Sequence, residues 1–195
     1  MKTDKRSYRM TSRASAAERT HGRILAAARE QFLAAPYDDV TLSTIAQEAG
    51  VTQQTVLNHF ESKENLFAVL VEGVAVEVDD RRGTARVGDT AASIRVLLRE
   101  YEEIGDAIIR FLALEDRMPV LADVLASGRT KHRAWLEQVF ADRLPADTRA
   151  RRHTLTTLYA ATDIYVWKLL RRDLDNSLAE TARVMQRLVT GALAP

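Results

Sequence analysis

TLSTIAQEAGVTQQTVLNHFESK, residues 41–63, holds two short apolar-periodic segments separated by one glycine. In the first, Leu42, Ile45, Ala46 and Ala49 share one side of a helix. Thr41 stands where a hydroxyl can accept from the free N–H groups of the first turn. Gly50 ends the segment and can take the positive φ of a tight turn without a Cβ clash. The second segment runs from about Thr52 to His59, with Val56 and Phe60 inward. Ala46 is small where the two helices would cross, and Ile45, Ala49, Val51 and Val56 supply the core that sets their angle. The spacing predicts a helix-turn-helix. The outer face of its second helix carries Thr52, Gln53, Gln54, Thr55, Asn58 and His59, uncharged hydrogen-bonding side chains in place of the usual Glu/Lys mixture. Gln and Asn can bond adenine at two points in the major groove, and a Thr methyl can touch that of thymine. A tight helical hairpin with a merely polar surface would share the Ala46-x-x-x-Gly50 spacing. The polar second helix, Lys63 just beyond it and a basic segment ahead of it together point to double-stranded DNA.

That basic segment is hidden by the average. The 195 residues carry 28 Lys+Arg against 27 Asp+Glu, a net charge of +1, which read alone argues against a nucleic-acid binder. Residues 1–29, however, hold Lys2, Lys5, Arg6, Arg9, Arg13, Arg19, Arg23 and Arg29 against only Asp4 and Glu18. Such arms sit on phosphates, or are solvated tails. From Phe67 onward 19 basic residues meet 19 acidic ones, so the remainder is balanced. There is no cysteine, which excludes disulfides, thiolate metal sites and a cysteine nucleophile. No apolar run reaches the 18 or so residues of a membrane span, and no apolar segment follows the basic start, so a cytoplasmic location is expected.

Almost every other segment also reads with a helical period, and none alternates as a strand. Ile24, Leu25, Ala28 and Phe32 predict a helix over about 17–34. Ser62 is placed to cap a longer one that fades near Gly83. Further helices are expected over about 90–115, 119–126, 129–143 and 147–172, with Gly128 and Pro145 bracketing the third of these. Ser177 and Glu180 have capping-box spacing for a final helix. The fold class is all-α, with about nine helices.

Residues 24–67 resemble the DNA-binding domain of the TetR (tetracycline-repressor-like) family of transcriptional regulators. The resemblance rests on Ile24-Leu25-Ala26-Ala27-Ala28-x-x-x-Phe32, on Thr41-x-x-x-Ile45-Ala46-x-x-Ala49-Gly50-Val51, and on Asn58-His59-Phe60-x-Ser62-Lys63-Glu64-x-Leu66-Phe67. It implies that the helix beginning at Thr52 is the recognition helix, with Gln53, Gln54, Thr55 and Asn58 facing bases or the groove wall. Thr41 and Ser43 would meet phosphate or a flanking base; His59 and Lys63 would hold backbone phosphates. Two positions depart from the family pattern. Leu57 stands where a phosphate-donating Tyr is usual, and Gln54 where Gly is frequent.

Toward the C-terminus, Leu155, Leu158, Thr162, Val166 and Leu169 trace one apolar stripe, and Met185, Leu188 and Val189 another. A helix apolar over so much of its girth is buried on more than one side. Either these helices form an internal core, or they pair with their copies about a two-fold axis, as the resemblance also implies. A homodimer would set two recognition helices on successive major grooves. The resemblance further implies a ligand pocket, for which Tyr101, Ile104, Ile108, Phe111, Trp135 and Trp167 are candidates; aromatics at helical spacing are equally core residues. The interleaved charges Arg99, Glu102, Glu103, Asp106, Arg110 and Glu115 are expected to form i,i+4 pairs on a wet face.

The chain is therefore read as a basic arm over 1–14, a helix-turn-helix DNA-binding domain over 15–66, and a helical sensing and dimerisation domain over 67–195. Its expected function is that of a transcriptional regulator, a repressor released from a near-palindromic operator by a small, largely apolar effector. The alternatives are a helical small-molecule-binding protein or enzyme, or a regulator blind to ligand. No catalytic residue, metal or cofactor is expected. His21, His59, His132 and His153 lack metal-ligand spacing. Gly73, Gly83 and Gly88 form no phosphate loop, and no Gly-x-Ser-x-Gly turn occurs.

Overall fold

Capped and apolar-periodic segments in this chain become helices, and no strand occurs among the described residues. The computed structural model describes residues 4–194, with side chains from Ser15 onward, so the arm read over 1–14 lies outside the described side chains. The chain divides into two units, Met1–Val71 and Glu72–Pro195.

The first unit contains α1 (Asp4–Ala34), a 3₁₀ turn (Tyr37–Asp39), α2 (Leu42–Glu48), α3 (Gln53–Phe60) and the start of α4 (Lys63–Arg82). Ile24, Ala28, Phe32, Ile45, Val56, Leu66 and Phe67 are completely buried. Side chains of this size contribute about 1.5–3 kcal/mol each on burial, enough to order a small three-helix head. Phe32 and Phe67 meet at 4.8 Å between ring centroids, and Tyr37 closes the cluster at 5.0 Å from Phe67.

The second unit packs α5 (Thr90–Leu112), α6 (Pro119–Val139), α7 (Thr148–Thr162), α8 (Ile164–Lys168) and α9 (Leu178–Ala192), with a π turn over Leu169–Asp173. α7 and α5 both lie against α9, α8 against α5, and α6 against α7. Their common core includes Ile94, Leu97, Leu136, Phe140, Leu158, Trp167, Met185 and Val189. Gly105 is required there. A Cβ at that position would stand 2.7 Å from the Trp167 ring, which is itself fully buried.

Three expectations are corrected. Gly128 does not divide 119–143: α6 runs unbroken, and Gly128 is not among the glycines with positive φ. An interior glycine costs about 1 kcal/mol against alanine, which the burial of Leu121, Trp135 and Leu136 outweighs. Conversely, 147–172 is not one helix. Asp163 leaves the helical region (ψ 146°), and its carboxylate accepts from the Tyr165 N–H to cap α8. Finally, four of the charges read over 99–117 pair with residues distant in the chain and not at i,i+4. Glu102 accepts from Arg171, Asp106 from Arg172, Glu103 from Arg81 and Glu115 from Arg129.

Candidate nucleic-acid interface

Thr41 caps α2, accepting from the Thr44 N–H at 3.1 Å, while the Thr44 side chain accepts from the Thr41 N–H to complete a capping box. The Thr44 hydroxyl also donates to Gln31 Oε1 (2.8 Å), and Gln31 Nε2 donates to Glu48 (2.7 Å). One side chain of α1 thus grips both ends of α2. Gly50 takes φ +64°, and the Val51 N–H returns to the Ala46 carbonyl at 2.9 Å, closing the turn where Ala46 is buried. Sequence spacing anticipates the Thr41 cap, the Gly50 turn and the close approach at Ala46, but not the Gln31 bridge.

The exposed row on α3 is narrower than the sequence suggests. Thr52 lies ahead of α3 as its N-cap: its hydroxyl accepts from the Thr55 N–H (3.1 Å) and lies 2.8 Å from the Thr55 hydroxyl. Thr55 is half-buried, whereas Gln53, Gln54 and Asn58 are exposed. Gln54 Nε2 donates to Asn58 Oδ1 at 3.0 Å. His59 is half-buried beside His21 of α1, which stacks on Phe60 with centroids 4.6 Å apart. Sequence reasoning missed His21, because nothing local signals its approach to α3. Thr41 and Ser43 are exposed at the start of α2. Leu57 is half-buried.

Lys63 opens α4 but is not simply presented to solvent. Its ammonium donates to the Tyr37 carbonyl at 2.6 Å and lies 4.0 Å from the Tyr37 ring centroid. Burial lowers its pKa, against the opposing pull of Asp38, Glu64 and Asp39. The Tyr37 hydroxyl donates to Glu64 (3.0 Å), so Tyr37 fixes both leading residues of α4.

In the second unit, the last residue of α4 enters a buried polar chain. Arg82 donates twice to Glu100, at 2.8 and 2.6 Å, and its third nitrogen lies 2.8 Å from His132 Nδ1. His132 Nε2 lies 2.9 Å from the Thr162 hydroxyl, which donates to the Leu158 carbonyl. The Thr162 oxygen therefore accepts from Nε2–H, leaving Nδ1 to accept from Arg82: a neutral imidazole in one tautomer. Burial, with Arg82 adding to it, pushes His132 down to about 3. Burial also pushes the Glu100 carboxyl up, against the pull of Arg82. Burial works most strongly against the Arg82 charge too, but its bonds to Glu100, the charge of Glu100 and those of Tyr101 and Asp79 together raise its pKa.

The aromatic residues proposed for a pocket are themselves tied down by hydrogen bonds. Tyr101 donates to the Thr162 carbonyl (2.9 Å), Trp135 to the Arg82 carbonyl (3.1 Å) and Trp167 to Glu102 (2.8 Å). All three belong to the body's core, with Ile108 packed against it; Ile104 and Phe111 are buried as well. A depression of about 590 Å³ lies elsewhere, along α7 beside Asp147, Arg149, Ala150, Arg152, His153 and Thr156.

Five of the dimer candidates are buried within the second unit: Leu155, Leu158, Thr162, Met185 and Val189 are all 0–2% exposed. Val166 is half-buried, while Leu169 and Leu188 are exposed.

A capped two-helix unit displaying an amide-rich helix is a helix-turn-helix. Residues 24–70 match the family model for bacterial regulatory proteins of the tetR family, a match confined to the first unit and the part of α4 that belongs to it. Over 58 residues the chain is 50% identical to the HTH-type transcriptional regulator SrpR of Pseudomonas putida, a match spanning 29% of this chain and 27% of that protein. The wider fold resembles a tetR-family transcriptional regulator from Streptomyces coelicolor (TM-score 0.69, 20% identity, 88% of this chain and 80% of that one). It also resembles Salmonella enterica GusR (TM-score 0.66, 24% identity, 89% and 95%). Among the described residues no helix is long and apolar enough to cross a membrane.

Proposed function

We propose that this chain is a sequence-specific, double-stranded-DNA-binding transcriptional regulator acting as a homodimer. Residues 15–66 serve as the reading head and 67–195 as the dimerising body. The observation that carries the reading is the exposed amide row of Gln53, Gln54 and Asn58 on a helix whose start, turn and packing are all fixed. Fixed geometry matters because base readout requires hydrogen-bonding groups held in register with the groove. Thr41 and Ser43 at the start of α2, and Lys63 and His59 beside α3, would contact phosphates and set that register. Among the described residues, five of the nine exposed large hydrophobic ones fall in one stretch of the chain: Tyr165, Leu169, Leu174, Leu178 and Leu188. Apolar surface of this kind supports pairing with a second copy.

A symmetric pair would read a near-palindrome, and repression is the mode this reading takes. Release by a small, largely apolar effector belongs to the same reading. Such an effector would have to part the packed core around Tyr101, Trp135 and Trp167. It would also need about 5.5 kcal/mol of preference for the non-binding state to switch the protein fully.

The test is selection from a randomised duplex library, followed by titration of the selected duplex across salt. The expected result is an affinity that falls steeply and log-linearly with salt, by about 0.9 per phosphate contacted. Absence of any selected duplex would refute the reading.

A further inference from the structure

Gln54 and Asn58 stand four residues apart on the exposed face of α3 and are joined by an amide–amide hydrogen bond of 3.0 Å. Each side-chain amide owns one carbonyl and one NH2 group. The bond occupies one N–H of Gln54 and one lone pair of Asn58, and leaves the Gln54 carbonyl and the Asn58 NH2 wholly unengaged by it. Exchanging oxygen and nitrogen in both amides reverses the bond but leaves the same two groups over, one carbonyl and one NH2. In either arrangement the pair keeps one wholly free carbonyl and one wholly free NH2, at a separation set by one helical turn.

Few base edges match that set. In the major groove guanine offers two acceptors, cytosine one donor, and thymine one acceptor and a methyl group. Adenine alone offers an acceptor, N7, beside a donor, N6. Guanine in the same place would set O6 against the free carbonyl, acceptor against acceptor. Because the two amides already hold each other, they lose less rotamer freedom on binding than two separate side chains would.

We propose that Gln54 and Asn58 act as one bonded unit that reads a single adenine·thymine pair in each half-site. The proposal rests on the DNA-binding reading above and adds its base specificity. Gln54 is also where the sequence departs from the glycine frequent in the family it resembles, so the unit would distinguish this chain's operator.

The full-length protein is titrated against its selected duplex, with one half-site altered position by position. At one position, replacing adenine by guanine or by 7-deaza-adenine (which lacks N7) is expected to weaken wild-type binding about 5- to 150-fold. Gln54→Ala and Asn58→Ala should each abolish that discrimination. The double variant should bind within about twofold of the weaker single one, since coupled residues do not contribute independently. Both side chains are exposed, and thermal unfolding of each variant checks that the head remains folded. Relaxation at two different positions, with losses that multiply, would overturn the bonded unit while leaving the DNA reader intact. A preference for G·C at the shared position would overturn the adenine assignment. If the wild type selects no duplex at all, the DNA reading fails and this proposal fails with it.

Discussion

Replacing Glu100 by glutamine removes the countercharge from a guanidinium that the body cannot hydrate. Glu100 is 1% exposed and Arg82 9%, and the pair is bidentate at 2.6 and 2.8 Å. Glutamine can accept only one of those bonds, and its own NH2 would face a guanidinium N–H. Arg82 would then retain two acceptors in this network, the glutamine carbonyl and His132 Nδ1 at 2.8 Å, and neither carries a countercharge. Removing one partner of a buried pair costs about 3–5 kcal/mol, because the remaining charge is left uncompensated. At about 2–4 °C per kcal/mol for a chain of this size, melting should fall by roughly 10 °C. Urea unfolding reads the loss as a lower midpoint at constant slope. The paired replacement Arg82→Met with Glu100→Leu buries no charge and should recover most of the loss. A Glu100→Gln variant within about 0.5 kcal/mol of wild type would refute the argument. So would a double variant no more stable than the single one.

Acid should act on the same network through His132. Its folded pKa of about 3 lies below the ordinary 6.5. The unfolded chain therefore takes up the proton first, and the stability His132 contributes is complete above pH 6.5 and lost as pH falls toward 3. By pH 4.5 the loss should reach about 2–3 kcal/mol; urea midpoints of His132→Gln should decline less than wild type over that interval, and equal declines would contradict it. Leu169→Asp combined with Leu188→Asp, both at exposed positions, should yield a fully helical monomer in sedimentation at micromolar concentration, whereas a persistent dimer would locate the interface elsewhere. Lys63→Ala should weaken binding to every duplex by a similar factor and flatten the salt slope by about one unit per subunit. An unchanged slope with lowered thermal stability would confine Lys63 to bracing Tyr37.

The head was legible because its signals are local. Thr41 and Ser62 announce caps, Gly50 announces its positive φ, and the apolar period of Ile45, Ala49 and Val56 announces the buried face. The body's helices were legible for the same reason, but their partners were not. Glu102 and Asp106 find Arg171 and Arg172 more than sixty residues away, a distance that no i,i+4 rule spans. Glu100 could have been found. Ser93, Leu97, Ile104, Ala107 and Phe111 recur on one helical face that includes it, and all are buried. Nothing comparable marks Arg82 or His132. Apolar period alone grouped Leu155, Leu158 and Met185 with Leu169 and Leu188, because a buried leucine and an exposed one have the same period; only the fold shows that the first three are buried and the last two exposed.

The central claim is that the outer face of α3 reads bases, and a specificity ratio tests it most directly. Affinities for the selected duplex and for a scrambled duplex of equal length are measured at one salt concentration. Wild type is compared with the combined Gln53→Ala, Gln54→Ala, Asn58→Ala variant. The wild-type ratio should be about 10³ or more, and that of the variant should fall near one while its scrambled-duplex affinity, carried by phosphate contacts, stays unchanged. A variant that keeps the wild-type ratio would contradict the account.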